Sequence, residues 1–239
     1  MLKPKKSLSQ NFLIDKNIAN KIVDQSNVGG KYILEIGPGY GFLTDSILEK
    51  KPKKIFLIEK DSYLTNVLYK KYKNNKIVEI IGDDILTTNL ASYKNLIIIS
   101  NLPYNISSKV ILYLFNFKDN IYEMIFMIQK EMSLKFDYKL PQMNKYKFLT
   151  KIVCNYSRCF DVSSKVFIPK PKVESTIVKF RFNKKNIDLK KANYFCKRIF
   201  RNVRKKIYNN INVDLEKKIL SKRVNELNID ELLTIYNFF

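Results

Sequence analysis

Between Tyr32 and Glu49 a short apolar run passes through Gly37-Pro38-Gly39-Tyr40-Gly41 into residues with helical spacing. No other stretch constrains the fold as much. A strand, a glycine-rich turn and a helix in that order open a doubly wound α/β fold and put its ligand at the turn. Glycine lets the backbone approach a ligand with no Cβ between them. The dinucleotide fingerprint is Gly-x-Gly-x-x-Gly, and here the third glycine arrives one residue early. With Glu35 just before the first glycine, the pattern suits an adenosyl ligand without a pyrophosphate better than NAD.

Four more apolar runs predict strands: Lys54 to Ile58, Ile77 to Ile81, Asn95 to Ile99, and Ile121 to Ile128. The last is near-continuous, as a strand buried on both faces should be. Glu59 closes the second strand 22 residues after Gly37, near the spacing at which a carboxylate meets ribose hydroxyls. Two carboxylate oxygens can accept from two vicinal hydroxyls. The third strand runs into Asp83-Asp84, and an Asp there can accept from an adenine amino group. Asp84 is preferred because the Asp-x-Leu spacing turns the apolar partners inward; Asp83 stays open.

The fourth strand leads into Asn101-Leu102-Pro103-Tyr104, followed by a helix from Ser108 to Phe117. An Asn side-chain oxygen and the Leu102 carbonyl can both accept from an exocyclic amine. Pro103 fixes the turn and has no N–H to compete for those acceptors. Tyr104 offers a flat face for a base, and Phe167, in front of Pro169-Lys170-Pro171, could meet it from the other side. The pattern predicts an amine-modifying site for a nucleobase.

Around that frame, Asp15 caps a helix with Ile18, Ile22 and Val23 on one face, with Phe12 and Leu13 as a staple at its entrance. Asp61 and Ser62 cap a helix over Tyr63 to Tyr72. Phe148 to Tyr156 reads as a helix, 162 to 175 as an extended exposed loop, and Thr176 to Phe182 as a strand. A boundary near Asn183 divides a domain of residues 1–182, led by a basic arm, from a small helical one of residues 183–239. From 183 to 206 there are ten Lys or Arg against Asp188 alone, with Tyr194, Phe195, Ile199, Phe200 and Val203 as an apolar face. Asp214 to Val224 and Ile229 to Phe238 are the remaining predicted helices.

The formal net charge of +22 favours polyanionic partners, nucleic acid first. There is no histidine, and Cys154, Cys159 and Cys196 form no Cys-x-x-Cys pair, so no metal site is expected. With no membrane-length apolar run and no signal-peptide core, the chain reads as cytoplasmic.

Five motifs occur here in one order: Ser9-Gln10-Asn11-Phe12-Leu13, Glu-Ile-Gly-Pro-Gly from 35, Asn-Leu-Pro-Tyr-Asn-Ile-Ser from 101, Gln129-Lys130-Glu131, and Phe167-Ile168-Pro169-Lys170-Pro171-Lys172-Val173. Together they resemble the ribosomal RNA adenine dimethyltransferases, closest to the bacterial small-subunit (16S) branch. The resemblance continues through Phe200 to Lys206, where Arg201, Arg204, Lys205 and Lys206 would contact RNA. It implies a Rossmann-like class I methyltransferase domain, S-adenosylmethionine as methyl donor, and two adjacent adenosines near the 3′ end of the small-subunit RNA as acceptors. It further implies a monomer acting on an assembling small subunit, with no membrane partner. Carried over by position, Asn11 and Leu13 close over the donor and Gly37 lines it. Glu59 takes its ribose, Asp84 its adenine, and Asn101 stands at its methyl end. Lys135 occupies a position where the family usually has Arg. Two competitors share the fold: the large-subunit (23S) macrolide-resistance branch, and a non-enzymatic RNA-binding assembly or transcription factor.

Overall fold

The computed structural model describes residues 10–183 and 185–239, so the basic arm and Lys184 lie outside it. Among the described residues, nine strands and nine α-helices follow in order: β1 Phe12–Leu13, α1 Lys16–Val23, β2 Tyr32–Ile36, α2 Phe42–Glu49, β3 Lys54–Ile58, α3 Ser62–Tyr72 and β4 Val78–Ile81. Then come β5 Leu96–Asn101, α4 Ser107–Leu114, β6 Ile121–Gln129, α5 Lys130–Phe136, α6 Lys145–Val153, β7 Cys154–Val162, β8 Phe167–Ile168 and β9 Ser175–Phe182. The chain closes with α7 Leu189–Ile199, α8 Lys217–Leu220 and α9 Ile229–Phe238. The described residues form two compact units, one of residues up to Ser133 plus Ser157–Phe182, the other of Leu134–Tyr156 plus the residues from Asn183 to Phe239. The second unit thus takes in α6 as well as the residues after 182.

In the first unit the sheet order is β4-β3-β2-β5-β6-β9-β7. Strands β2 to β6 pair in parallel, and β9 returns antiparallel to β6. Parallel strands covered on both faces must be apolar throughout, which is why Ile33, Leu34, Leu57, Ile98 and Ile125 are fully buried. The strand order reverses between β2 and β5. The crevice at the carboxyl ends of those two strands is where this architecture takes ligands. Ser100 Oγ donates to the Ile36 carbonyl across that crevice.

Local signals account for the helix starts. Asp15 accepts from the Ile18 N–H to open α1, and Asp61 from the Tyr63 N–H to open α3. Three expectations are corrected. Phe12 and Leu13 do not merely staple a helix; they form β1, antiparallel to β8, with Leu13 opposite Phe167. The segment from Phe148 to Tyr156 is not one helix. Cys154 already has extended dihedrals (φ −149°, ψ 164°) while its N–H still closes the last turn of α6 on the Thr150 carbonyl. Helix and strand therefore abut with no turn residue to mark the change. The predicted helix from Asp214 to Val224 shrinks to α8, a single turn.

The second unit packs α6, α7 and α9 around Phe148, Phe195 and Tyr236, whose ring centroids lie 5.0–5.2 Å apart. Asp188, the lone acid of the basic segment, caps α7 by accepting from the N–H groups of Lys190 and Lys191. That helix stops at Ile199, so Arg201, Arg204, Lys205 and Lys206 stand exposed on a turn and Val203 is exposed rather than on a helix face. Among the described residues no helix is long and apolar enough to cross a membrane.

Candidate active site

A cavity of about 500 Å³ opens at the crevice between β2 and β5, lined by the glycine turn, the ends of β3 and β4, and the turn after β5. Gln10 to Ile14 line it from the amino-terminal side.

The glycine turn is built by left-handed backbone. Gly37, Gly39 and Gly41 have φ of +61°, +60° and +74°, a region costly for residues with a Cβ. At Gly37 a Cβ would project into open space, with Pro103 Cδ 4.0 Å away; the missing side chain leaves room for a ligand. At Gly41 a Cβ would fall 2.3 Å from the Tyr72 hydroxyl. The early third glycine therefore has a packing reason as well as a conformational one. The Tyr72 hydroxyl lies 2.9 Å from the Gly41 carbonyl and 2.7 Å from Asp45 Oδ1. Lys71 Nζ donates to the carbonyls of Tyr40 and Gly41 at 3.0 and 3.2 Å. Helix α3 thus holds the turn from outside.

Glu59, at the end of β3, is buried, and one oxygen accepts from the Gly39 N–H at 3.2 Å. The other accepts from the Asp61 N–H at 2.9 Å. Burial raises its pKa against those two backbone donors. Glu35 is buried beneath the turn, where Thr44 Oγ1 donates to it at 2.6 Å. Desolvation pushes its pKa up to about 8. Both Asp83 and Asp84 line the cavity. Asp84 Oδ2 is 2.7 Å from Lys60 Nζ and Oδ1 accepts from the Leu86 N–H at 3.0 Å. The hydrogen bond from Lys60 holds the Asp84 carboxyl below its usual range, with the Leu86 N–H adding to the effect. Asp83 folds back to accept from the Asp84 N–H at 2.7 Å.

On the other side, Asn101 ends β5 and its Nδ2 donates to the Asn11 carbonyl at 2.9 Å. A carbonyl neighbour fixes which end of the amide faces it, so Oδ1 is the end turned elsewhere. Leu102 is buried, its N–H donating to the Met127 carbonyl. Tyr104 is half-buried, with its hydroxyl 2.7 Å from Ser175 Oγ. Asn11, Leu13, Gly37, Glu59, Asp84, Asn101, Leu102 and Tyr104 are thus all brought to one cavity.

Phe167 is not. It is 2% exposed and belongs to the apolar cluster that includes Leu13, Met127 and Ile177. Side chains alternate along a strand, and in the two residues of β8 Phe167 turns inward while Ile168 points out. Sequence reasoning also passed over Ser175, Tyr72 and Lys71. No adjacent residue marks them: Lys71 and Tyr72 reach back 30–31 residues to the glycine turn, and Ser175 reaches back 71 to Tyr104.

A family model described as ribosomal RNA adenine dimethylase matches residues 1–238. The small-subunit ribosomal RNA methyltransferase A of Hydrogenobaculum sp. (strain Y04AAS1) is 37% identical over 240 residues, 99% of this chain and 94% of that one. The protein of the same name from Mesomycoplasma hyopneumoniae (strain 232) is 38% identical over 241 residues, covering 99% and 87%. Among solved structures, a dimethyladenosine transferase from Plasmodium falciparum superposes with a TM-score of 0.77 at 21% identity, covering 95% of this chain and all of that one. The 23S rRNA methyltransferase ErmE gives 0.74 at 18%, covering 95% and 98%. The fold is therefore that of the Rossmann-like class I methyltransferases, and the chain belongs to the ribosomal RNA adenine dimethylase family, enzymes that draw methyl groups from S-adenosylmethionine.

Proposed function

We propose that this protein transfers methyl groups to N6 of two adjacent adenosines near the 3′ end of the small-subunit (16S) ribosomal RNA. It does so as a cytoplasmic monomer acting on an assembling small subunit. The observation that carries the reading is the placement of Asn101, which lines the cavity between β2 and β5 with its Nδ2 taken by the Asn11 carbonyl, leaving Oδ1 turned elsewhere. The relatives covering nearly the whole chain carry the small-subunit name, whereas the likeness to the 23S enzyme is one of fold.

S-adenosylmethionine supplies an electrophilic methyl on a positively charged sulfur. Gly37 would leave the space for it, Glu59 would accept from its ribose hydroxyls, Asp84 from its adenine amino group, and Asn11 and Leu13 would cover it. At the acceptor side, Asn101 Oδ1 and the Leu102 carbonyl accept the two N6 hydrogens. An adenine N6 lone pair is delocalised into its ring and is a poor nucleophile. Those two acceptors favour a pyramidal nitrogen and aim its lone pair at the methyl, an effect of orientation and electrostatics. No side-chain base is needed if attack precedes deprotonation, and the proton then leaves to solvent. Tyr104 stacks the base once it leaves its own stack, a contact contributing about 1–3 kcal/mol. With Phe167 turned into the apolar cluster, a second stacking wall requires that side chain to leave it.

The deciding experiment is methyl transfer to purified small- and large-subunit precursors, with the modified positions mapped by primer extension. Two neighbouring adenosines on the small-subunit RNA are expected, and labelling of 23S RNA alone would overturn the proposal. The exposed turn at 201–206 supplies phosphate contacts. Replacing Arg204, Lys205 and Lys206 with Ala should weaken RNA binding and lower the slope of log K against log salt by about 2–3. An unchanged slope counts against that role.

A further inference from the structure

We infer that Ser175 is a positioning residue for the acceptor base, acting through the Tyr104 ring, an inference that rests on Tyr104 being the stacking wall. A tyrosine on a turn is free to rotate about two bonds. A flat surface that must hold an adenine in line with a methyl group needs its plane fixed, because small misplacements at the reacting atoms are costly. The Tyr104 hydroxyl marks the far end of that ring, and it shares a hydrogen bond with Ser175 Oγ at 2.7 Å. Ser175 has no exposed surface and does not line the cavity. It therefore reaches the acceptor only through Tyr104, and it holds the phenol where water would give a looser partner.

The seat of Ser175 is itself fixed from both sides. It is the first residue of β9, opposite Gln129 of β6. The residue before it, Glu174, accepts from the Lys130 N–H with its carbonyl and from Lys130 Nζ with its carboxylate, each at 3.0 Å. The residue after it, Thr176, donates to Asp161 Oδ1 at 2.7 Å, and Asp161 Oδ2 lies 2.8 Å from Lys130 Nζ. Such exposed ion pairs add little stability singly. Here they converge on one lysine and bracket one serine, so their effect is to set the position of its hydroxyl. Antiparallel pairing of β9 with β6 is what carries that hydroxyl across the sheet to the turn that follows β5.

The test is a kinetic double-mutant cycle on the full-length protein with Ser175→Ala, Tyr104→Phe and the pair, alongside Tyr104→Ala. The readouts are kcat and KM for the RNA it methylates, and the Kd for S-adenosylmethionine. Ser175→Ala and Tyr104→Phe should each lower kcat/KM for RNA five- to tenfold with the donor Kd unchanged. The double variant should lose no more than the worse single one, because both remove the same bond. Additive losses overturn the inference. So does wild-type activity in Tyr104→Phe, a variant that opens no cavity and keeps the test valid should Ser175→Ala fold poorly. Loss of activity in Tyr104→Ala with wild-type Tyr104→Phe removes the Ser175 role alone; full activity in Tyr104→Ala removes the stacking wall and the inference with it.

Discussion

The glycine turn after β2 and the polar turn after β5 flank one crevice, yet they are held by different means. The glycine turn is secured by partners close in the chain: Thr44 to Glu35 spans 9 residues, Gly39 to Glu59 spans 20, and Tyr72 to Gly41 spans 31. Its shape depends on backbone that only glycine adopts at little cost. The polar turn is secured from much farther away. Asn101 is held by Asn11, 90 residues earlier, and Tyr104 by Ser175, 71 residues later. The donor side can therefore form with the first few βα units, whereas the acceptor side is complete only after the whole first unit has closed. Damage to the two turns should consequently have separable effects.

The largest expected effect is on the acceptor side. Asn101→Ala removes the acceptor proposed for the reacting amine, a kind of contact whose loss costs roughly 10²–10³ in kcat. RNA affinity, set mainly by phosphate contacts elsewhere, should stay within about twofold. Single-turnover methylation and filter binding on the same preparation check both. Activity within a few-fold of wild type would sink the assignment of Asn101 and blur the contrast between the turns.

Gly41→Ala damages the donor side instead. It forces a Cβ to within 2.3 Å of the Tyr72 hydroxyl at a φ of +74°. Left-handed backbone alone costs about 1–2 kcal/mol for a residue with a Cβ, which at this chain length lowers Tm by several degrees. Donor affinity, followed by calorimetry, should weaken about tenfold with RNA binding intact. Adding Tyr72→Phe sharpens the result: it removes the clashing oxygen but not the dihedral, so only part of the loss should return. Full recovery would mean that φ does not matter there.

The same contrast explains what could be read in advance. The glycine turn and the acid at its crevice were legible because their signals are local: glycines in a tight turn, and an acid at the spacing set by one βα unit. β2, α2 and β3 run over the residues their apolar patterns mark. At the polar turn, the meeting of Asn101 and Tyr104 at the crevice was legible, but their supports were not, because nothing near Ser175 in sequence points to residue 104. Phe167 was misplaced for a related reason. An aromatic before two prolines reads as exposed, but pairing of β8 with β1 turns it onto the core cluster with Leu13. At the junction of α6 and β7 no glycine, proline or turn residue marked the change from helix to strand.

The smallest effect, and the finest probe of the donor side, comes from Glu35. Its folded pKa, about 8, lies above its ordinary value of 4.5 because burial disfavours the carboxylate, with Asp45 and Glu59 adding to the rise and Thr44 and Lys71 opposing it. Between those two values the folded protein holds a proton that the unfolded chain has released. Stability must therefore fall as pH rises from about 4.5 toward 8 and level off above. The slope for one such group cannot exceed about 1.4 kcal/mol per pH unit. Glu35→Gln keeps an oxygen for the Thr44 hydroxyl but cannot ionise. Melting curves at pH 6.5 and 7.5 should show a smaller drop for the variant than for wild type, and the variant should be the more stable at the higher pH. Equal drops would mean that Glu35 ionises freely beneath the glycine turn, and the donor side would then lack the dry, locally packed footing that distinguishes it from the acceptor side.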